Sequence, residues 1–271
     1  MNLRDRIGID LNKNMSFEDA IDWATANDIR FINLGLDGRQ NDPSTLTDAR
    51  AAAIRDKAAE AGVDVGLHTL SAVNTAEDSP FVRDAVDAYL ESYVDAAARL
   101  GCKWIVVHGG YHFTRDVERR TGTSIERLKR VADSAGRAGT RLLLENMNKE
   151  PEDAEVHYLA CYLDECQRYF DALPAETVGW AFTVNHAHML PEKISGFLRG
   201  LDIGRCDEVR IADNKGDKEE HLRPGEGTID FREMFDLIEG AGFRGHYMNA
   251  FGSREDMLAG RDYLVKAAGK A

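Results

Sequence analysis

The sequence predicts a single closed (β/α)8 barrel, and three observations carry that expectation. Eight short apolar, β-rich runs recur along the chain, stretches of helical periodicity separate them, and the 271 residues sit near the roughly 250 of one such barrel. Near-continuous apolar strands alternating with helices make a parallel sheet covered by helices. An open Rossmann-like sheet is the alternative. It is weakened because no strand is followed by GxGxxG and because RPGEGTID lacks the Walker lysine arrangement.

The runs come in order as RIGID (6–10), RFINLGL (30–36), VDVGLHTL (63–70), KWIVVHGG (103–110), TRLLLENM (140–147), VGWAFTVNH (178–186), DEVRIAD (207–213) and GHYMNAF (245–251). Each is short and apolar, most with β-branched or aromatic residues, as a buried strand requires. Between them, SFEDAIDWATAND opens on Ser16, PFVRDAVDAYLESYVDAAARLG opens on Pro80 and closes on Gly101, and SIERLKRVADSAGRAG closes on Gly139. These are helix start and stop signals. The polar stretch NKEPEDAEVH (148–157) reads as a loop over the barrel mouth, and no linker divides residues 1–271 into further domains.

A formal charge of −13 and a pI near 5.1 give an acidic surface that repels phosphate backbones, so no nucleic-acid partner is expected. Cys102, Cys161, Cys166 and Cys206 show no CxxC spacing and read as reduced structural thiols. The N-terminus has no apolar signal core and no run approaches the ~18 residues of a membrane span. The expectation is a soluble, cytoplasmic protein with a small-molecule substrate and no membrane partner. A homo-oligomer is left open.

Barrel active sites lie at the C-terminal ends of the strands. Here His68 ends the third run, His108 the fourth, Glu145 the fifth and His186 the sixth, with His112, His188 and His221 in the loops just beyond. A lone strand-end histidine is most simply a hydrogen-bonded structural residue. Three imidazoles and a carboxylate from four consecutive strands would converge on one cavity, which is how acid/base or metal chemistry is assembled. Asp213 and the Gly-Glu-Gly that follows it read as a braced tight turn. Trp104 and Trp180, inside strands, read as core.

The succession GLHTLSAVN, WIVVHGG, LLLEN, TVNHAH, VRIADN and HLRPGEGTIDF resembles the xylose isomerase-like TIM barrels, a group of sugar isomerases and epimerases, inosose dehydratases and endonuclease IV. The resemblance spans the chain, and HLxxGEGxID is its most specific element. It implies a divalent metal held by Glu, Asp, His and Glu on strands five to eight. Glu145 matches the first ligand. The second falls on Thr183 of TVNHAH, which keeps His186 and His188; the third falls on Arg210 of RIAD; the fourth falls on Asn249 or Ala250. The endonuclease branch implies three-metal chemistry, for which His68, His108, His186 and His221 are the surviving counterparts. The epimerase branch implies an enediolate between two carboxylates, and that pair is broken here.

Thr183 is a poor ligand, and a guanidinium has no lone pair to offer. Arg210 is therefore expected to replace the ion's charge, to pair with Glu145 or to hold a substrate oxyanion. The leading expectation is a metal-independent isomerase, epimerase or lyase on a small polyol, keto-sugar or related acid, with no cofactor. Glu145, His68, His108 and His186 would do the acid/base work, and Arg210, Thr183, Asn185, His188, His221 and Asn249 would hold substrate. Two alternatives stand beside it: a non-catalytic ligand-binding or partner subunit, and a metal-dependent isomerase with Zn or Mn on a shifted His68, His108 and Glu145 site.

Overall fold

The computed structural model describes residues 2–12 and 15–269. Eight parallel strands close into a ring: β1 (Ile7–Asn12), β2 (Phe31–Leu34), β3 (Asp64–His68), β4 (Trp104–His108), β5 (Arg141–Glu145), β6 (Val178–Thr183), β7 (Cys206–Ile211) and β8 (His246–Asn249). The ring closes where Ile7 of β1 pairs with Tyr247 of β8. Each of the eight predicted runs overlaps a barrel strand.

Two apolar layers hold the ring. The larger lies between strands and helices and contains Trp180. A smaller one, Trp104, Val106, Leu143, Ala181 and Met248 with Phe31 packed against it, fills the barrel interior. Both tryptophans are core, as expected. Gly66 makes room for the inner layer, since a Cβ there would fall 2.1 Å from the Trp104 ring. The helix ends follow the sequence signals: Ser16 accepts from the Asp19 amide, and Gly101 and Gly139 close their helices in the left-handed region.

Strand alternation and register then place the site. Val106, Leu143, Ala181 and Met248 face inward, so two residues further on His108, Glu145, Thr183 and Ala250 face the cavity above the inner layer. Register sets His108 beside Glu145 and Thr183 beside Arg210.

The sixth strand stops earlier than the sequence suggested. The Asn146 side chain accepts from the Thr183 amide at 2.9 Å and donates to its carbonyl at 3.0 Å, which occupies the groups that would extend the ladder. Val184–His188 turn into a short helix instead, so His186 and His188 are not strand residues. The 148–157 loop contributes Asn148 and Glu150 to the cavity lining, as its predicted place over the mouth requires. Its end pairs as a ribbon, His157–Tyr158 against Tyr111–His112. Among the described residues, no helix is long and apolar enough to cross a membrane.

Candidate functional site

A cavity of about 780 Å3 opens at the C-terminal end of the strands, lined by His68, His108, Glu145, Thr183, Asn185, His186, Arg210 and His221 among others. Its strand-borne half is built from β3, β4 and β5. His68 Nε2 and His108 Nε2 lie 3.2 Å apart, and each is 3.4 Å from Glu145 Oε2. The outer nitrogens are fixed. Asp10 Oδ2, which only accepts, takes the His68 Nδ1–H at 3.0 Å. Thr69 spends its hydroxyl proton on the Val106 carbonyl at 3.1 Å, so the His108 Nδ1–H donates to Thr69 Oγ1 at 3.3 Å. Both Nε2 atoms are thereby left facing each other and Glu145.

The electrostatics follow from burial and partners. Burial opposes charge on His68, as does Arg210, but hydrogen bonds to Asp10 and Glu145 prevail and push its pKa up to about 8. Burial also works against the Glu145 carboxylate, yet Arg210, His108 and His68 hold it well below the usual range. His108 is lowered, chiefly by burial.

Arg210 does more than pair with Glu145. Its Nη2 donates to Asp10 Oδ2 at 2.6 Å, its Nη1 to Glu208 Oε1 at 2.7 Å, and its Nε lies 3.6 Å from Glu145 Oε1. One guanidinium is shared among three buried carboxylates. Asp10 and Glu208 were missed in the sequence, although Asp10 ends the predicted strand RIGID and Glu208 lies two residues from Arg210 on the same strand face.

The other half of the site sits on a helical turn and a loop. His186 Nδ1–H donates to the Asn146 carbonyl at 2.7 Å, which turns Nε2 toward Glu219 Oε1 at 3.5 Å. His221 Nε2 reaches the same oxygen at 3.2 Å, and Asn185 Nδ2 donates to it at 2.9 Å. Burial opposes protonation of His186, but Glu219 and Glu145 raise its pKa. Glu219 was also missed; its signal is an acid two residues before His221 in DKEEH. Its Oε2 is buried with no hydrogen-bond partner among the described residues.

Other candidates lie elsewhere. Asn249 faces out of the barrel and donates to the Met257 carbonyl at 3.0 Å, so the cavity-facing residue at this end of the ring is Ala250, just past the last strand. His188 is turned away onto Thr228 Oγ1 at 2.9 Å and is not among the lining residues. His112 stacks on His157 across the ribbon. Thr183 lines the cavity but donates its hydroxyl to Glu145 Oε1 at 2.6 Å. Asp213 braces the turn as expected, accepting from the amides of Gly225 and Gly227 at 2.9 Å each, where Gly225 adopts φ +95°. The four cysteines are free and buried.

The donor sets decide where an ion fits. The central position, with Glu145, Thr183, Arg210 and Ala250, offers one carboxylate and a guanidinium, and a divalent ion does not fit there. On the strand-borne side the three donors of His68, His108 and Glu145 converge. Ligand atoms around a tetrahedral zinc with bonds of about 2.0–2.1 Å stand about 3.3–3.4 Å apart, close to the 3.2 and 3.4 Å found. Second-sphere partners orient both imidazoles, as ligating histidines require. His186, Glu219 and His221 form a second, more exposed convergent group.

The chain belongs to the xylose isomerase-like TIM barrel family, whose model matches residues 21–266. It is 25% identical over 189 residues to the uncharacterized protein MJ1311 of Methanocaldococcus jannaschii, covering 68% of this chain and 62% of that one. The match thus spans about three fifths of that relative's length. It is 26% identical over 204 residues to a probable endonuclease 4 of Natronomonas pharaonis, covering 69% of each. Among solved structures it resembles a D-tagatose 3-epimerase-like protein, with TM-score 0.83, 18% identity and 97% of both chains covered. It also resembles the 3-keto-D-glucoside 4-epimerase YcjR of E. coli, with TM-score 0.75 and 18% identity over 97% of this chain and 99% of that one. At such identities the likeness to solved structures shows the fold.

Proposed function

We propose that the chain is an enzyme that isomerises, epimerises or eliminates water from a small polyol, keto-sugar or related acid, with one divalent ion on His68, His108 and Glu145. The observation that carries this reading is the convergence of two oriented imidazoles and a carboxylate at 3.2–3.4 Å in a polar cavity large enough for a sugar. The family and its epimerase neighbours supply the substrate class. Arg210 stands at the central position in place of an ion.

His68, His108 and Glu145 would hold the ion, which would supply Lewis-acid stabilisation of the charge developing on a substrate carbonyl or hydroxyl. The chain's own groups do the rest. Asp10 and Thr69 hold His68 and His108 in the tautomer that leaves Nε2 free for the ion. Thr183 and Arg210 fix the Glu145 oxygen that faces them. His186, whose Nδ1 lies 3.8 Å from Glu145 Oε1, is oriented by the Asn146 carbonyl and coupled to Glu219, which equips it to carry a proton to or from a substrate carbon or hydroxyl.

A second reading is favoured by the second convergent group and by relatives named probable endonuclease 4: His186, Glu219 and His221 would take another ion, and the pair would act on a phosphate ester. The charge of −13 weighs against a nucleic-acid substrate. Chelator-treated protein, reloaded with Zn2+ or Mn2+, should incorporate solvent deuterium into a keto-sugar from a screened panel. Cleavage of an abasic oligonucleotide without deuterium exchange would establish the second reading, and neither activity would leave a binding protein.

A further inference from the structure

We infer that Glu208 and Asp10 are positioning residues that hold Arg210 as a fixed internal cation beside Glu145, so the centre of the cavity carries its positive charge on the chain. The inference deepens the proposed function by naming what occupies the position next to the ion-binding side.

Glu208 is completely buried, and its carboxylate is surrounded by donors. Oε1 accepts from Arg210 Nη1 at 2.7 Å, Oε2 accepts from His246 Nε2 at 3.0 Å, and Asn33 Nδ2 reaches both oxygens at 3.0 Å. Those donors are themselves fixed. Asn33 Oδ1 accepts from Trp104 Nε1 at 2.9 Å, and His246 lies stacked on Phe31 and against Trp104. Glu208 is therefore a stationary anion, set into the interior apolar layer from which the site rises.

A guanidinium presents its donors in a rigid planar fork. With Nη1 pinned on Glu208, the plane and depth of Arg210 are fixed, and Nη2 falls on Asp10 Oδ2 at 2.6 Å. That same oxygen orients His68. The third edge, Nε, faces Glu145 Oε1 at 3.6 Å, leaving Glu145 Oε2 toward the histidines. Arg210 thus divides the two oxygens of Glu145 between itself and the imidazole side. Without this cation three buried carboxylates would keep only their imidazole and neutral hydrogen-bond partners, and removing one partner of a buried ion network is strongly destabilising.

Chemical rescue tests the inference on the purified chain. Arg210→Ala should melt well below the unsubstituted protein, and millimolar ethylguanidinium should raise its Tm by several degrees while leaving the unsubstituted protein unmoved. A cation filling the vacated pocket stabilises the folded state by mass action, and the neutral ethylurea, which restores packing without charge, should leave the Tm unmoved. Wild-type melting of Arg210→Ala, or no response to ethylguanidinium, would overturn the inference. If Arg210→Ala is not recovered folded, Arg210→Ala/Glu208→Gln decides. Removing one carboxylate with the guanidinium should restore a folded protein, as coupled partners require, and a double variant no better than the single would overturn the inference. Neither readout uses a divalent ion or a substrate, so the outcome is independent of whether the histidine side binds metal.

Discussion

The two halves of the cavity are built differently. The half from β3, β4 and β5 has His108 and Glu145 buried and His68 half-buried, its residues stand on paired strands, and its two histidines are each tied at Nδ1 to a buried partner. The half formed by His186, Glu219 and His221 rests on a helical turn and a loop, with the His221 side chain exposed. Sites on strands hold their geometry more tightly than sites on loops. The strand-borne half is accordingly suited to hold an ion, and the loop-borne half to move a proton and adapt to the substrate.

Substitutions can break or sharpen that contrast. The largest effect is expected from Glu145→Gln, which removes the one carboxylate ligand and should weaken Zn2+ binding, and turnover with it, by more than the about 10- to 100-fold cost of losing an outer partner, with an unchanged circular dichroism spectrum. Thr69→Val removes the acceptor of the His108 Nδ1–H. It should weaken Zn2+ binding by about 10- to 100-fold in a competition titration with a chelating dye, the usual cost of losing an outer partner. Glu219→Gln should lower turnover by about 10²-fold while Zn2+ affinity on the strand side stays within twofold, separating the two halves. An equal loss of affinity in Glu219→Gln and Thr69→Val would erase the distinction. His188→Ala is the smallest, costing about 1 kcal/mol in urea unfolding for its bond to Thr228 and leaving turnover intact.

The same contrast explains how much was legible in the sequence. Strand-end residues follow a two-residue alternation, so His68, His108 and Glu145 could be assigned to one rim before any coordinates. Alternation also separates Asn249 from Ala250, once Met248 is known to face inward. His186 was assigned to the cavity but to the wrong element, because Asn146 of the neighbouring segment ends β6. Glu219 and His188 lie where loop conformation, invisible to periodicity, decides which side chain enters. Asp10 and Glu208 went unread for another reason: a single acid in an apolar strand carries no partner in its local sequence, and Arg210 reaches Asp10 only when the ring closes.

Cobalt binding tests the central claim most directly. Chelator-treated protein titrated with Co2+ should show the visible absorption of a four-coordinate ion, saturating at one equivalent on the strand side. His68→Ala and His108→Ala should lose that band, and His186→Ala should retain it. A chain that takes up no Co2+, or whose bound ion survives His68→Ala and is lost in His186→Ala, would contradict the account.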